Sequence, residues 1–368
     1  MTPILLNPGP VTLTERVRRA LLKPDICHRE PEFAELTLDI KQRLVQLYPQ
    51  AAADYEAVLL TGSGTCAVEA MVSSLIPHHS KTLVVTNGVY GERIAKMVSI
   101  HGKAIEVVAS EWHQAMNLEA VSNHLSHDPT ITHVVAVHHE TTTGRLNDVV
   151  TLGRICRDYQ VSLLLDCVSS FGAEAISFDD WNLEACAATA NKCLHSTPGV
   201  SFVLVRRSVF ESRPSAAGSL YLDLYRYYQE QLQGYSPFTQ AVQSYYALQE
   251  ALKELEDDGG WQSRHQHYTN LSHSIHLGLQ QLGIESFLNQ NLSSCVLRSF
   301  NLPANLTYEY VHDDLKQAGF VIYAGQSGLK KILFRIANMG DLQTGDVNRL
   351  LQSFHQIIHN NNTKVAIT

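Results

Sequence analysis

A lysine, Lys192, closes the small-residue run CAATAN and stands just before the turn sequence STPG. An aspartate, Asp166, ends the run VSLLLD, where a carboxylate is costly unless it meets a cation or a hydrogen-bond donor. A third segment, Gly62 to Thr65, reads GSGT between an apolar run and a helical one. Small residues at a helix N-terminus let free N–H groups approach a phosphate. No Lys-Ser or Lys-Thr pair follows these glycines, so the segment is not a P-loop, nor does it match the dinucleotide fingerprint. Each feature has an ordinary alternative: a solvated loop lysine, a turn-capping aspartate, a plain strand-to-helix turn. Together they suggest a cofactor that carries a phosphate, an aldehyde and a basic ring nitrogen. Pyridoxal phosphate has all three. Lys192 would hold it as a Schiff base and Asp166 would keep the ring nitrogen protonated.

Such residues need a scaffold that brings them to one crevice. From about residue 55 to 207, Val- and Leu-rich runs alternate with helical patterns. EAVLLTG leads into GTCAVEAMVSSLI, where Ala67, Ala70, Met71 and Leu75 recur at helical spacing. TLVVTN, AIEVVAS, THVVAVHHE and VSLLLDCVSS follow, with helical stretches between them. This alternation predicts a mostly parallel sheet covered on both faces, with its site at the C-terminal strand ends. Thr61 to Thr65, Asn87-Gly88, Glu140 to Thr143 and Asp166 fall at those ends. A Tyr-rich link, a helix near 241–257 and the break EDDGG precede a second, α+β block. It contains helices near 263–282, 308–319 and 345–358, and strands SCVLRSF, FVIYAG and KILFRIANMG. The expected division is a large domain over 16–255, a small one from 1–15 and 256–360, and an unstructured tail over 361–368.

The 368 residues are 45% hydrophobic and 17% charged, with a formal charge of −8, which fits a soluble globular protein and argues against a nucleic-acid groove. No apolar run reaches the roughly 20 residues that cross a bilayer. The N-terminal MTPILLNPGPV lacks the basic lead and apolar length of a secretory signal. Seven cysteines without a C-x-x-C pair fit a reducing cytoplasm. The 18 histidines include the pairs His78-His79 and His138-His139, whose side chains diverge on a strand, and no H-E-x-x-H motif, so no metal site is expected.

In order along the chain stand NPGPVTLTERV, TGSGTCAVEA, NGVYGER, VHHETTTGRLND, LLLDCVSSFGA, ANKCLHSTPGVSFVLVRR and LFRIANMGD. This series resembles the class V aminotransferases of pyridoxal-phosphate fold type I. That fold is α/β and aspartate aminotransferase-like, with a mostly parallel central sheet and a smaller α+β C-terminal domain. HETTTGRLN, SLYLDLY and GFVIYAGQ are similar to the branch of the class that acts on 2-aminoethylphosphonate. The resemblance implies that Ser63, Gly64 and Thr65 bind the cofactor phosphate, that Tyr90 stacks on its ring and Val168 covers the other face, and that Thr141 bonds its ring hydroxyl. It implies a homodimer in which Thr239 reaches the phosphate of the neighbouring subunit. Arg335 is implied to hold a substrate carboxylate, a task suited to its two-pronged fork. Gly9 and Arg29 lie in segments that could meet a phosphonate, although Arg29 is better suited to a structural salt bridge. His195 is left without a role. The implied reaction is transamination of an amine donor with a 2-oxo acid, pyruvate, with Lys192 as proton carrier. A glyoxylate-type aminotransferase would share every cofactor residue and differ in its donor pocket. A lyase or desulfurase of the same fold is the other alternative, but a desulfurase needs a nucleophilic cysteine on a mobile loop, which none of the seven matches.

Overall fold

The computed structural model describes residues 3–367, with side chains through residue 361. Seven strands form the central sheet: β1 (Tyr55–Gly62), β2 (Lys81–Thr86), β3 (Ala104–Ala109), β4 (Ile131–Val137), β5 (Ser162–Asp166), β6 (Leu183–Thr189) and β7 (Gly199–Arg206). Their order is β1-β7-β6-β5-β4-β2-β3. Strand β7 runs antiparallel to both neighbours, and all other pairs are parallel. The expected mostly parallel sheet is therefore present. Its near-continuous apolar runs follow from burial on two faces. Leu163 and Leu165 of β5 enter one apolar layer with Leu59, Val134 and Phe202, whereas Leu164 enters the opposite layer with Val58, Val135 and Val203. Each such buried side chain contributes about 1.5–3 kcal/mol relative to exposure, so the strand ends are held by a stiff platform.

Helix α1 (Gly64–Leu75) starts directly after β1, and α2 (Val89–Ile100) starts two residues after β2. Both helix N-termini consequently open at the C-terminal edge of the sheet. Helix α3 (Val242–Asp257) packs over the sheet, and Gly259, with φ 94°, turns the chain into α4 (Gly260–Gln281). That left-handed conformation suits glycine.

Beyond α4 lies a second sheet of order β8-β10-β9, formed by β8 (Leu297–Asn301), β9 (Tyr323–Ala324) and β10 (Leu333–Ala337), all antiparallel. Together with α4, helices α5 (Tyr308–Gln317) and α6 (Thr344–Ile367) enclose its core, which includes Leu271, Phe300, Phe334, Leu350 and Phe354. The N-terminal Ile4–Leu5 pairs in parallel with Phe320–Val321, so the first residues join this block. The last helix corrects the sequence expectation. It was expected to end near Ile358 with an unstructured tail from 361, but α6 is helical through Ile367, and only Thr368 of that tail lies outside the described backbone. The asparagine run there is a poor helix former, yet no Gly or Pro interrupts it. Among the described residues no helix is long and apolar enough to cross a membrane.

Candidate active site

β5 delivers Asp166 at its last position, paired with Val137 of β4 and Ala187 of β6. Its Oδ1 accepts the Val168 N–H at 2.9 Å, which bends the chain back at the strand end. Burial pushes the Asp166 carboxyl pKa up, against the opposing pull of the Val168 N–H and the charges of Lys192 and Arg93.

Lys192 lies in the short loop between β6 and β7. The Lys192 carbonyl accepts the His195 N–H at 2.9 Å, and the Ala190 carbonyl accepts the Ser196 N–H at 3.0 Å. His195 closes this turn with φ 61°, an uncommon left-handed conformation for a residue with a Cβ. Its Nε2 accepts the Gly340 N–H at 2.9 Å and the Tyr268 hydroxyl. Arg264 Nη1 donates to the Cys193 carbonyl at 3.0 Å. The lysine loop is thus pinned by α4 and by the turn after β10. A ring nitrogen that accepts in this way belongs to a neutral imidazole, and burial drives the His195 pKa well below its ordinary value. This gives His195 the structural role that its sequence context did not reveal. A cavity lined by Thr14, His195, Arg264 and Gly340 lies beside the loop, but Lys192 and Asp166 do not line it. Lys192 Nζ donates instead to Ser169 Oγ at 2.8 Å and stands 5.9 Å from the Tyr90 ring centroid.

Gly64 and Thr65 are the first residues of α1, where N–H groups have no acceptor within the helix. A Cβ on Gly64 would stand 2.6 Å from Val168 Cγ1, so glycine is what lets Val168 close against this turn. Arg93 Nη1 reaches Thr65 Oγ1 at 3.4 Å, with its guanidinium 4.8 Å over the Tyr90 ring. A helix N-terminus and a guanidinium at one point favour an anion.

Tyr90 is fixed by the way α2 begins. The buried Glu140 accepts the Thr142 N–H at 3.1 Å, the Thr142 hydroxyl at 2.6 Å and the Gly91 N–H at 3.3 Å. Thr142 Oγ1 in turn accepts the Val89 N–H at 3.0 Å. The two residues cap α2 from the neighbouring loop, and a Cβ on Gly88 would collide with Glu140 Cδ at 2.3 Å. Burial pushes the Glu140 carboxyl pKa up. Burial would also raise the Tyr90 phenol, but the Lys192 charge, the facing Thr141 and Gln326 side chains and Arg335 together bring it down. Thr141 Oγ1 itself is buried without a partner of hydrogen-bond geometry.

Arg335, in the middle of β10, is 3% exposed. Its Nε donates to the Ala324 carbonyl at 3.0 Å and its Nη1 to the Thr141 carbonyl at 2.8 Å. Burial lowers its pKa, and no carboxylate pairs with it among the described residues. Two carbonyls orient the fork while its charge stays available to an anionic ligand.

Most of the residues singled out in the sequence converge here. Gly9, at φ 106°, brings the first loop against the lysine, since a Cβ on it would lie 3.1 Å from Lys192 Cγ. Arg29 and Thr239 lie exposed, and among the described residues no hydrogen bond ties either of them to this cluster. The sequence reading placed Glu140 at a strand end without giving it a role, and missed Ser169, Arg93 and Gln326, although Arg93 lies in NGVYGER and Ser169 in LLLDCVSSFGA, both already quoted for other residues. One grouping of potential metal ligands occurs among the described residues, Glu174, His265 and Cys295. Protein donors already engage it: Glu174 Oε1 accepts from Ser294 Oγ at 2.6 Å and from the Cys295 N–H at 2.8 Å, and His265 Nδ1 bonds the Ala173 carbonyl at 2.8 Å.

Pyridoxal phosphate fits these residues. The α1 N-terminus could take its phosphate, the unsatisfied Thr141 hydroxyl its ring hydroxyl, Asp166 its ring nitrogen and Lys192 its aldehyde.

The family described as "Aminotransferase class-V" matches residues 26–350. A 2-aminoethylphosphonate–pyruvate transaminase of Bacillus cytotoxicus is 36% identical over 352 residues, 95% of this chain and 96% of that protein. A transaminase of the same name from Vibrio cholerae is 36% identical over 361 residues, 97% of this chain and 98% of that protein. Among solved structures, an aspartate aminotransferase of Thermus thermophilus matches with a TM-score of 0.88 at 25% identity, covering 97% of this chain and 99% of that one. A ureidoglycine–glyoxylate aminotransferase of Bacillus subtilis matches in fold, with a TM-score of 0.90 at 22% identity over 98% of this chain and 94% of that one. This chain therefore belongs to the class V aminotransferases, pyridoxal-phosphate enzymes of fold type I.

Proposed function

We propose that this aminotransferase moves the amino group of 2-aminoethylphosphonate to pyruvate, giving phosphonoacetaldehyde and alanine. The observation that carries this reading is the 36% identity, over nearly the full length, to transaminases of that name. The site chemistry is consistent with it, because Arg335 offers an oriented charge to an anionic group.

Bound pyridoxal phosphate supplies an aldehyde that bonds amines and a ring that takes up electron density from the adjacent carbon. Lys192 would be the residue that bonds to it, and Ser63, Gly64 and Thr65 would hold its phosphate. Asp166 would keep its ring nitrogen protonated, Tyr90 and Val168 would flank its ring, and Thr141 would meet its hydroxyl. As a free amine, Lys192 Nζ would be the base that takes a proton from donor C2, the carbon that bears the amino group. Arg335 orients the pyruvate carboxylate for the return half. The loop bearing Gly9 limits space around the lysine, and Arg29 is the further cation assigned to the phosphonate. The assembly is a homodimer in the cytoplasm, with Thr239 reaching the partner's site. The working division is a large domain over 16–255 and a small one from 1–15 with 256–360.

Steady-state assays with pyruvate as acceptor test the reading. 2-Aminoethylphosphonate should yield alanine together with a phosphonoacetaldehyde signal in phosphorus NMR. Alanine formation from serine at an equal or greater kcat/KM would reject the proposed donor.

A further inference from the structure

Lys192 has two situations to occupy: bonded to the cofactor, or free after a donor amine has displaced it. A free amine on a long flexible stem loses effective concentration unless something holds it near the reacting carbon. In this structure Nζ is held by Ser169 Oγ at 2.8 Å. Ser169 is 6% exposed, and its own carbonyl accepts His139 Nδ1 at 2.9 Å and Cys193 Sγ at 3.6 Å. The serine backbone is thereby fixed from two directions, by the segment after β4 and by the lysine loop itself. Among the described residues the Ser169 hydroxyl is tied to no other side chain, so Lys192 is the partner it serves.

We infer that Ser169 is a positioning residue, the seat that holds the Lys192 amine whenever it is not bonded to the cofactor. The inference rests on the reading of Lys192 given above. An ammonium or amine group rotates freely about its last bond and offers several equivalent donors. Committing one N–H to Ser169 restricts that rotation and keeps the lone pair of the neutral amine in one orientation. When the donor C2–H bond breaks, the electron pair stays with carbon and the proton passes to Nζ. The resulting ammonium is then stabilised by the same hydroxyl oxygen. His139 supports the seat from behind. Its Nδ1 is committed to the Ser169 carbonyl, and burial lowers its pKa to about 4, so it remains neutral and adds no charge next to the lysine.

The test uses the full-length, cofactor-loaded enzyme with S169A and S169T. For S169A, kcat with 2-aminoethylphosphonate should fall about 10-fold with KM changed by less than about two-fold, the pattern of a lost transition-state interaction. The isotope effect on kcat with the C2-deuterated donor should rise, because proton transfer becomes slower relative to other steps. In enzyme converted to the pyridoxamine phosphate form, Lys192 should be acetylated by acetic anhydride several-fold faster in S169A. S169T, which keeps the hydroxyl, should restore most of each property. Wild-type isotope effect and labelling in S169A, or equal losses in S169A and S169T, would overturn the inference. Borohydride reduction of the wild type separates this outcome from failure of the lysine reading: cofactor fixed to any residue other than Lys192 removes that reading whatever the serine variants do.

Discussion

Arg335 Nη1 donates to the Thr141 carbonyl at 2.8 Å across a sequence separation of 194 residues. The bond joins β10 of the second sheet to the segment that leaves β4 of the first. The residue assigned to the substrate's anion and the residue assigned to the cofactor's ring hydroxyl thus share one rigid contact.

Arg335→Lys removes the planar fork while keeping a positive charge. A charge-assisted hydrogen bond is worth about 1.5–3 kcal/mol, so KM for pyruvate should rise roughly 10- to 100-fold. Cofactor content, measured by absorbance, should stay at the wild-type level. Equal losses of pyruvate and cofactor affinity would show that Arg335 acts through the fold rather than on the substrate.

Lys192→Ala should abolish turnover, and borohydride reduction should then leave no cofactor mass on the chain. Asp166→Ala should retain a weakly held cofactor while kcat falls by at least about 100-fold, the result expected of the carboxylate proposed to keep the ring nitrogen protonated. Turnover of Lys192→Ala above background would remove the lysine from the mechanism.

Gly64→Ala tests the close packing of the phosphate cradle. The added Cβ would stand 2.6 Å from Val168 Cγ1, so Val168 must move. Overpacking of this kind costs about 1–3 kcal/mol. Thermal unfolding should show a lower Tm, and titration with pyridoxal phosphate a weaker affinity. A variant that binds cofactor as tightly as the wild type would mean that Val168 does not close this turn.

Buried histidines make the fold sensitive to acid. Burial lowers the pKa of His138 and of His139 from 6.5 to about 4, and drives that of His195 well below its ordinary value. Between those values the unfolded chain takes up protons that the folded one refuses, so stability must fall as pH drops from about 6.5 toward 4. For His138 and His139 the shift corresponds to on the order of 3 kcal/mol each. Denaturant titrations from pH 7 to 4.5 should show a steady loss of midpoint, and His138→Phe should flatten the slope. A midpoint independent of pH in that window would contradict the neutral buried state.

The sheet was legible because its strands are short apolar runs separated by helical periods, and burial on both faces leaves no other reading for VSLLLD. Asp166 and Lys192 were legible for the opposite reason, as polar residues that end such runs. The partners that complete the site were not, because they come from distant positions. Ser169 meets Lys192 across 23 residues and His195 meets Gly340 across 145, and neither pair leaves a periodic trace. The role of His195 depends on a left-handed φ that no local residue pattern announces. The end of α6 was misread because an asparagine run suggests a break, while the backbone can continue where neither Pro nor Gly intervenes.

The most direct measurement is the first half-reaction. The cofactor-loaded enzyme, without any keto acid, is mixed in turn with 2-aminoethylphosphonate, alanine and serine, and loss of its visible absorbance is followed by stopped flow. The account predicts rapid conversion with the aminophosphonate, conversion with alanine as the product of the return half, and slow conversion with serine. Faster conversion with serine than with the aminophosphonate would contradict the assigned donor.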